Sequence, residues 1–205
     1  MVHGDGDSPG RRVLIEAAAS CFGDSGYERV TETAIAERAG VPLAEFCKHF
    51  SSRDEAFHAV AAGVFETFLD QRIPLTSAAD PREVLAAATA AFIETIFTSG
   101  RLFTMIEARA AVDPVVGEQL ADAHARMLRR YTRFIEVLGE AGVAAPCAEP
   151  TRLARKLSDA QWSGAARLID ASADEQRKFV VEMIAACERF IGFGEAACPA
   201  VREAS

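Results

Sequence analysis

The sequence predicts an all-α protein of about nine helices, a three-helix helix-turn-helix domain followed by a longer helical domain. Three observations carry that prediction. Apolar residues recur at spacings of three and four from Val13 to Ile191. Asp-Pro starts and glycine stops punctuate the recurrence. The stretch Thr31 to Phe50 reads as two short helices joined by a tight turn.

Residues 1–10, M-V-H-G-D-G-D-S-P-G, form an acidic, Gly-rich arm that is expected to be disordered. Arg11 and Arg12 follow; their guanidiniums either reach a phosphate or belong to a solvated helix start. A first helix is expected from about Pro9 to Ser25, apolar at Val13, Leu14, Ala17, Ala18 and Phe22, with Gly26 as its stop. The run Gly23-Asp24-Ser25-Gly26 matches a serine-protease signature only by chance, since it falls at a helix end with no acid-base partner. Thr31 is a good N-cap, because its hydroxyl can accept from an unpaired N–H of the next turn. Ile35, Ala36 and Ala39 give that short helix an apolar face, and Gly40 ends it. Pro42 suits the opening of the next helix. There Leu43, Phe46, Cys47 and Phe50 recur at i, i+3, i+4 and i+7, predicting an inward face with Ala44, Glu45, Lys48 and His49 outward.

Residues 12–58 resemble the N-terminal domain of the tetracycline-repressor (TetR) family of transcription regulators. The resemblance rests on the apolar first helix, Gly26-Tyr27, Thr31, Ile35-Ala36, Ala39-Gly40-Val41, and His49-Phe50 followed by Ser52-Arg53-Asp54. It implies binding to a double-stranded DNA operator, with Arg12, Thr31, Thr33 and Lys48 on phosphates and Leu43, Ala44, Glu45 and His49 at base edges. The sequence departs from the pattern across the recognition helix. Ala44, Glu45, Phe46 and Cys47 replace the usual glycine, small residue, Leu or Phe, and phosphate-binding tyrosine, and Glu32 replaces an apolar residue. From Arg12 to Phe57, five basic side chains face eight acidic ones, a net charge of −3. Phosphate contacts dominate nucleic-acid affinity, so this balance favours a second reading: a small-molecule sensor or carrier of the same fold with weak or lost DNA binding.

A connecting helix is expected after Asp54, with Phe57, Val60, Ala61, Val64, Phe65 and Phe68 on one face, ending near Pro74. Asp80-Pro81 starts the next, which Gly100 ends; a short segment spans Arg101 to Val112, and Asp113-Pro114 opens a long amphipathic helix reaching Gly139. Val143 to Pro150 is a loop. Two final helices are expected at about Thr151–Ser172 and Asp174–Gly194. The resemblance implies the domain plan: arm 1–10, DNA-binding domain 11–55, ligand-binding and dimerisation domain 56–198, tail 199–205. It also implies that the last two helices pair with those of a second copy. The dimer candidates are Leu157, Ala160, Gly164, Leu168, Val180, Ile184, Cys187 and Ile191.

The resemblance further implies an apolar pocket for a small apolar or aromatic effector. Its candidate lining is Phe65, Phe68, Phe92, Ile96, Phe103, Ile106, Arg109, His124, Tyr131, Phe134 and Trp162, although helical spacing alone makes such residues ordinary core. Arg109 would clamp a carboxylate, or else pair with Glu107 or face solvent. His124 reads as a hydrogen-bonded core histidine or a ligand contact.

Composition narrows the rest. The chain has 205 residues, 50% of them hydrophobic, and a net charge of −8. No apolar run spans a membrane and no signal peptide opens the chain, so a cytoplasmic protein is expected. Five cysteines without C-x-x-C spacing read as buried or unpaired thiols, with Cys47 expected to be buried by its spacing. No metal spacing, phosphate-cradling loop or nucleophile elbow is present, so neither a metal, a cofactor nor an enzymatic activity is expected.

Overall fold

Ser8 caps the first helix: its side chain accepts from the Arg11 N–H at 3.3 Å and Pro9 follows at the first helical position. The computed structural model describes residues 8–70 and 80–193. Most of the predicted arm, the helix end near Pro74, Cys198 and the predicted tail lie outside them. The described elements are α1 (Pro9–Ser25), a 3-10 turn (Tyr27–Arg29), α2 (Glu32–Ala39), α3 (Leu43–His49), α4 (Arg53–Asp70), α5 (Pro81–Ala110), α6 (Pro114–Glu140), α7 (Pro150–Arg167) and α8 (Ala173–Ile191). The fold is all-α, as the sequence predicts. Among the described residues there are eight helical elements, of which α5 is two helices meeting at a kink at Gly100, where the sequence placed a helix end. Gly100, at φ 51° and ψ −131°, leaves helical geometry there, a conformation open to glycine alone at little cost. Among the described residues no helix is long and apolar enough to cross a membrane.

The structure comprises two compact units, residues 1–66 with 99–121 and residues 67–98 with 122–205. In the first, α1 buries Leu14, Ala17, Ala18, Cys21 and Phe22, while Val13 at the same helix's start is 45% exposed. Phe22, Tyr27 and Phe57 form an aromatic cluster, with Phe57 edge-on to the other two rings at centroid distances of 4.9 and 5.0 Å. Thr31 caps α2 as predicted, accepting from Ala34 N at 3.2 Å, and Gly40 ends it in the left-handed region. Pro42 is the N-cap of α3, one position earlier than the first-turn role the sequence suggested. The start of α6 is fixed by Asp113, whose Oδ1 accepts from the N–H groups of Val115 and Val116 at 3.0 and 3.4 Å.

In the second unit, Asp80 caps α5 through Arg82 N at 2.9 Å, Glu149 caps α7, and Ser172 with Glu175 makes a capping box on α8. The core joins Leu85, Phe134, Ile135, Leu138, Leu153, Leu157, Cys187 and Ile191. Gly164 lets α7 approach α8, since any Cβ there would overlap the Phe179 ring. The predicted loop after α6 is pinned to the end of α8: Ala145 N donates to Gly192 O and Cys147 N to Phe190 O, both at 3.0 Å.

Candidate functional site

The second helix of the helix-turn-helix is short: α3 has seven residues, of which Phe46 alone is buried, and its C-cap Phe50 is buried beside it. Phe46 and Phe50 are buried, with ring centroids 5.5 Å apart. Leu43, predicted inward by its spacing, is 43% exposed, and Cys47 is exposed as well. Spacing marks a face, but the first residue of a short helix hangs past the edge of the core and the fifth turns beyond it. Ala44 and Lys48 are exposed, and Thr31, Thr33 and Arg12 are exposed on their own elements. His49 keeps only 15% side-chain exposure, near Gly10 at the start of α1 and 3.6 Å from Glu45. Glu45 also takes the Lys48 ammonium at 2.6 Å, which holds its carboxyl below the ordinary glutamate range. Arg11 lies over the Phe50 ring at 4.9 Å, so this guanidinium is partly committed to the domain's own packing.

Three residues that the sequence marked only as matches to or departures from the family pattern hold this face in place. Arg53 donates to the carbonyls of Tyr27, Glu28 and Val30 at 3.4, 3.3 and 2.9 Å and lies 5.0 Å over the Tyr27 ring. The turn before the helix-turn-helix is thereby tied to the first residue of α4. Tyr27 donates to Asp54 at 2.6 Å, and burial first, then that hydrogen bond, push its phenol up to about 12. Glu32, out of pattern for an apolar position, accepts from Arg53 N at 3.1 Å and so caps α4. The signal available in the sequence was Ser52-Arg53-Asp54 itself, whose polar side chains sit where one helix stops and the next begins.

Arg109 and Glu107 fall in this first unit rather than beside the cavity described below. The Arg109 guanidinium stacks 4.0 Å over Tyr27 and reaches Asp113 at 3.6 Å. Asp113 also meets His58 Nε2 at 2.9 Å. Burial would raise the Asp113 carboxyl, but the His58 contact and the Val116 and Val115 N–H groups outweigh it and hold it below the ordinary aspartate range. A depressed folded pKa contributes stability that is complete above the unfolded value near 4 and lost as pH falls through the lower folded value. Asp113→Asn is expected to lower stability at pH 7 by about 1–2 kcal/mol and to flatten the wild type's acid loss below about pH 4. Urea midpoints measured across that range check it; parallel acid limbs in the two proteins would contradict it.

The second unit contains a cavity of about 440 Å³. Six of the predicted pocket residues line it: Phe68, Phe92, His124, Tyr131, Phe134 and Trp162. Phe68, Phe92 and Trp162 surround one another at centroid distances of 5.4 to 6.1 Å, and His124 stands edge-on to Trp162 at 4.4 Å. Partial desolvation beside Trp162 lowers the His124 imidazole's pKa, against the raising effect of Asp159. The other predicted pocket residues are not among its lining: Phe65, Phe103, Ile106 and Arg109 belong to the first unit, and Ile96 is buried core. Leu85, Thr89, Leu128 and Gln161 complete walls that the sequence did not single out. Among the described residues no three His, Cys, Asp or Glu side chains converge as a metal site would require.

Of the residues expected at a dimer interface, Leu157, Cys187 and Ile191 are spent on the chain's own core, and Gly164 on the contact with Phe179. Ala160 is exposed, and Leu168, Val180 and Ile184 are half-buried. The adjoining face of α8 adds Val181, 66% exposed, and Phe190, 38% exposed.

Residues 14–60 match the sequence profile described as bacterial regulatory proteins, tetR family. No curated protein matches the sequence. Among solved structures, the fold is similar to that of a TetR-family transcriptional regulator from Mesorhizobium loti, with 20% identity over 89% of this chain and 98% of that one and a TM-score of 0.72. It is also similar to GusR of Salmonella enterica, at 16% identity over 92% and 99% of the two chains and a TM-score of 0.73. The fatty acid degradation regulator FadR from Bacillus halodurans aligns at 13% identity over 89% and 96%, also with a TM-score of 0.73. Residues 14–60, which hold the helix-turn-helix, thus match the tetR-family profile, and the fold of the chain as a whole is similar to that of solved TetR-family regulators.

Proposed function

We propose that the protein is a ligand-responsive transcriptional repressor of the cytoplasm, binding a palindromic operator as a homodimer and released by a small apolar or aromatic effector. The observation that carries this reading is one chain combining a helix-turn-helix, with an exposed α3 face, and a separate unit holding an aromatic-walled cavity. Release would follow from an effector that binds more tightly to a state whose two α3 helices no longer match successive major grooves. The apolar residues Val181 and Phe190 on α8, with Val180 and Ile184, support a second copy packing there.

In this reading Arg12, Thr31, Thr33 and Lys48 hold phosphates, and Leu43, Ala44, Glu45 and His49 meet base edges. Footprinting on the DNA upstream of the protein's own gene should reveal two half-sites about one helical turn apart, at roughly 10 base pairs centre to centre. Glu45→Gln should shift base preference at one position in each half-site, by about 1–3 kcal/mol of discrimination. Unchanged preference would remove Glu45 from the readout, and a footprint without paired half-sites would remove the palindrome.

One observation favours a second reading, a sensor or carrier with weak DNA binding. Glu45 neutralises Lys48 at 2.6 Å on a helix-turn-helix whose region is net acidic.

A further inference from the structure

The cavity wall holds a buried polar cluster, and that cluster is built from all four long helices of the second unit. Thr89 of α5 and Gln161 of α7 are 3% and 5% exposed, and they are the buried polar residues of the described chain. Both line the cavity, as does Tyr131 of α6. All three face the buried thiol of Cys187 on α8. Only Gln161 makes a well-formed bond to it, Nε2 to Sγ at 3.2 Å. The Tyr131 hydroxyl is fully buried without a well-formed hydrogen bond among the described groups, and Gln161, bonded to Cys187 through its nitrogen, carries a carbonyl acceptor as well.

A buried donor without an acceptor costs free energy, and sulfur is a weak acceptor for three donors. The cluster therefore lacks one oxygen. A hydroxyl supplies what is missing, because it can accept from Thr89 or Tyr131 and donate to the Gln161 carbonyl. The rest of the cavity sets the remainder of the ligand. Phe68, Phe92 and Trp162 offer ring faces to a flat aromatic body. The charged residues of the wall give a buried ion no partner: Arg130 donates to the Leu69 carbonyl, and Arg155 and Asp159 are exposed and opposite in sign.

We propose that the cavity takes an uncharged aromatic molecule bearing a terminal hydroxyl, a phenol or aryl alcohol, with that hydroxyl seated among Thr89, Tyr131 and Gln161. This deepens the effector reading above and rests on it. The test is equilibrium dialysis of the full-length protein with three probes of similar size: 2-naphthol, 2-methylnaphthalene and 2-naphthoate. Gln161→Met and Thr89→Val, each close in volume to the residue replaced, should each weaken 2-naphthol binding about three- to tenfold. Binding of 2-methylnaphthalene should stay within about twofold, which also shows that the variants fold, and 2-naphthoate should bind the wild type most weakly. If one variant fails to fold, the other carries the same comparison. Equal losses for both neutral probes, no loss for either, or tightest binding of 2-naphthoate would overturn the hydroxyl assignment and leave the cavity standing as an effector site. Binding of none of the three to the wild type would overturn the assignment and the effector reading together.

Discussion

Phe22→Ala is expected to lower the stability of the protein by about 3–5 kcal/mol and to abolish DNA retention, the larger of two effects that follow from packing. The ring is fully buried at the point where α1, the Tyr27 turn and α4 meet. It lies parallel to Tyr27 at 5.7 Å and edge-on to Phe57 at 4.9 Å. Truncation removes the burial and leaves a void that two aromatic neighbours cannot fill without moving. Moving Tyr27 disturbs the Arg53 contacts to three backbone carbonyls, and these orient the helix-turn-helix that follows. A loss of that size is a large share of the 5–15 kcal/mol that holds a typical domain, roughly. Urea midpoints and duplex retention check the two halves separately. A loss below about 1 kcal/mol would place the ring outside a tightly packed core.

Gly192→Ala is expected to cost roughly 3 kcal/mol by a different route. Gly192 ends α8 at φ 80° and ψ 45°, a left-handed conformation that carries a penalty for any residue with a Cβ. A Cβ there would also overlap the carbonyl of Ala145, so the substitution is strained twice over. The loop after α6 cannot simply give way. Ala145 N bonds to Gly192 O, Cys147 N bonds to Phe190 O, and Arg82 Nη2 donates to Phe193 O at 2.6 Å on the same turn. Thermal unfolding should therefore start from a lower midpoint while the helical content of the folded protein stays near wild type. An unchanged midpoint would mean that the loop is not fastened to the end of α8.

The parts of this structure legible in the sequence are those decided locally. Thr31 and Gly40 bracket α2, Asp80-Pro81 opens α5, and Asp113-Pro114 opens α6, because capping chemistry needs only a few consecutive residues. Spacing also identified the buried rings. What it could not supply was the neighbour of each ring. Phe68 and Phe103 have the same helical periodicity, yet one walls a cavity and the other is buried in the other unit. Leu157, Cys187 and Ile191, expected at a dimer interface, are core, since a helix with apolar residues on more than one side does not say which side its own chain covers. Arg109, read as a ligand clamp, a partner of Glu107 or a solvated side chain, lies on Tyr27, eighty-two residues away in sequence, a distance over which local pattern carries no information. The polar cluster of the cavity wall escaped for the same reason: Thr89, Tyr131, Gln161 and Cys187 come from four helices and look unremarkable in each.

The most direct test of the regulator reading is a binding titration of the full-length protein on the duplex upstream of its own gene and on a shuffled duplex of equal length, repeated across salt concentrations. Lys48 and the arginines at the start of α1, doubled by a second copy, predict specific retention whose logarithmic affinity falls with the logarithm of salt at a slope of about −2 or steeper. Equal, weak binding to both duplexes would contradict it and leave the sensor or carrier in its place.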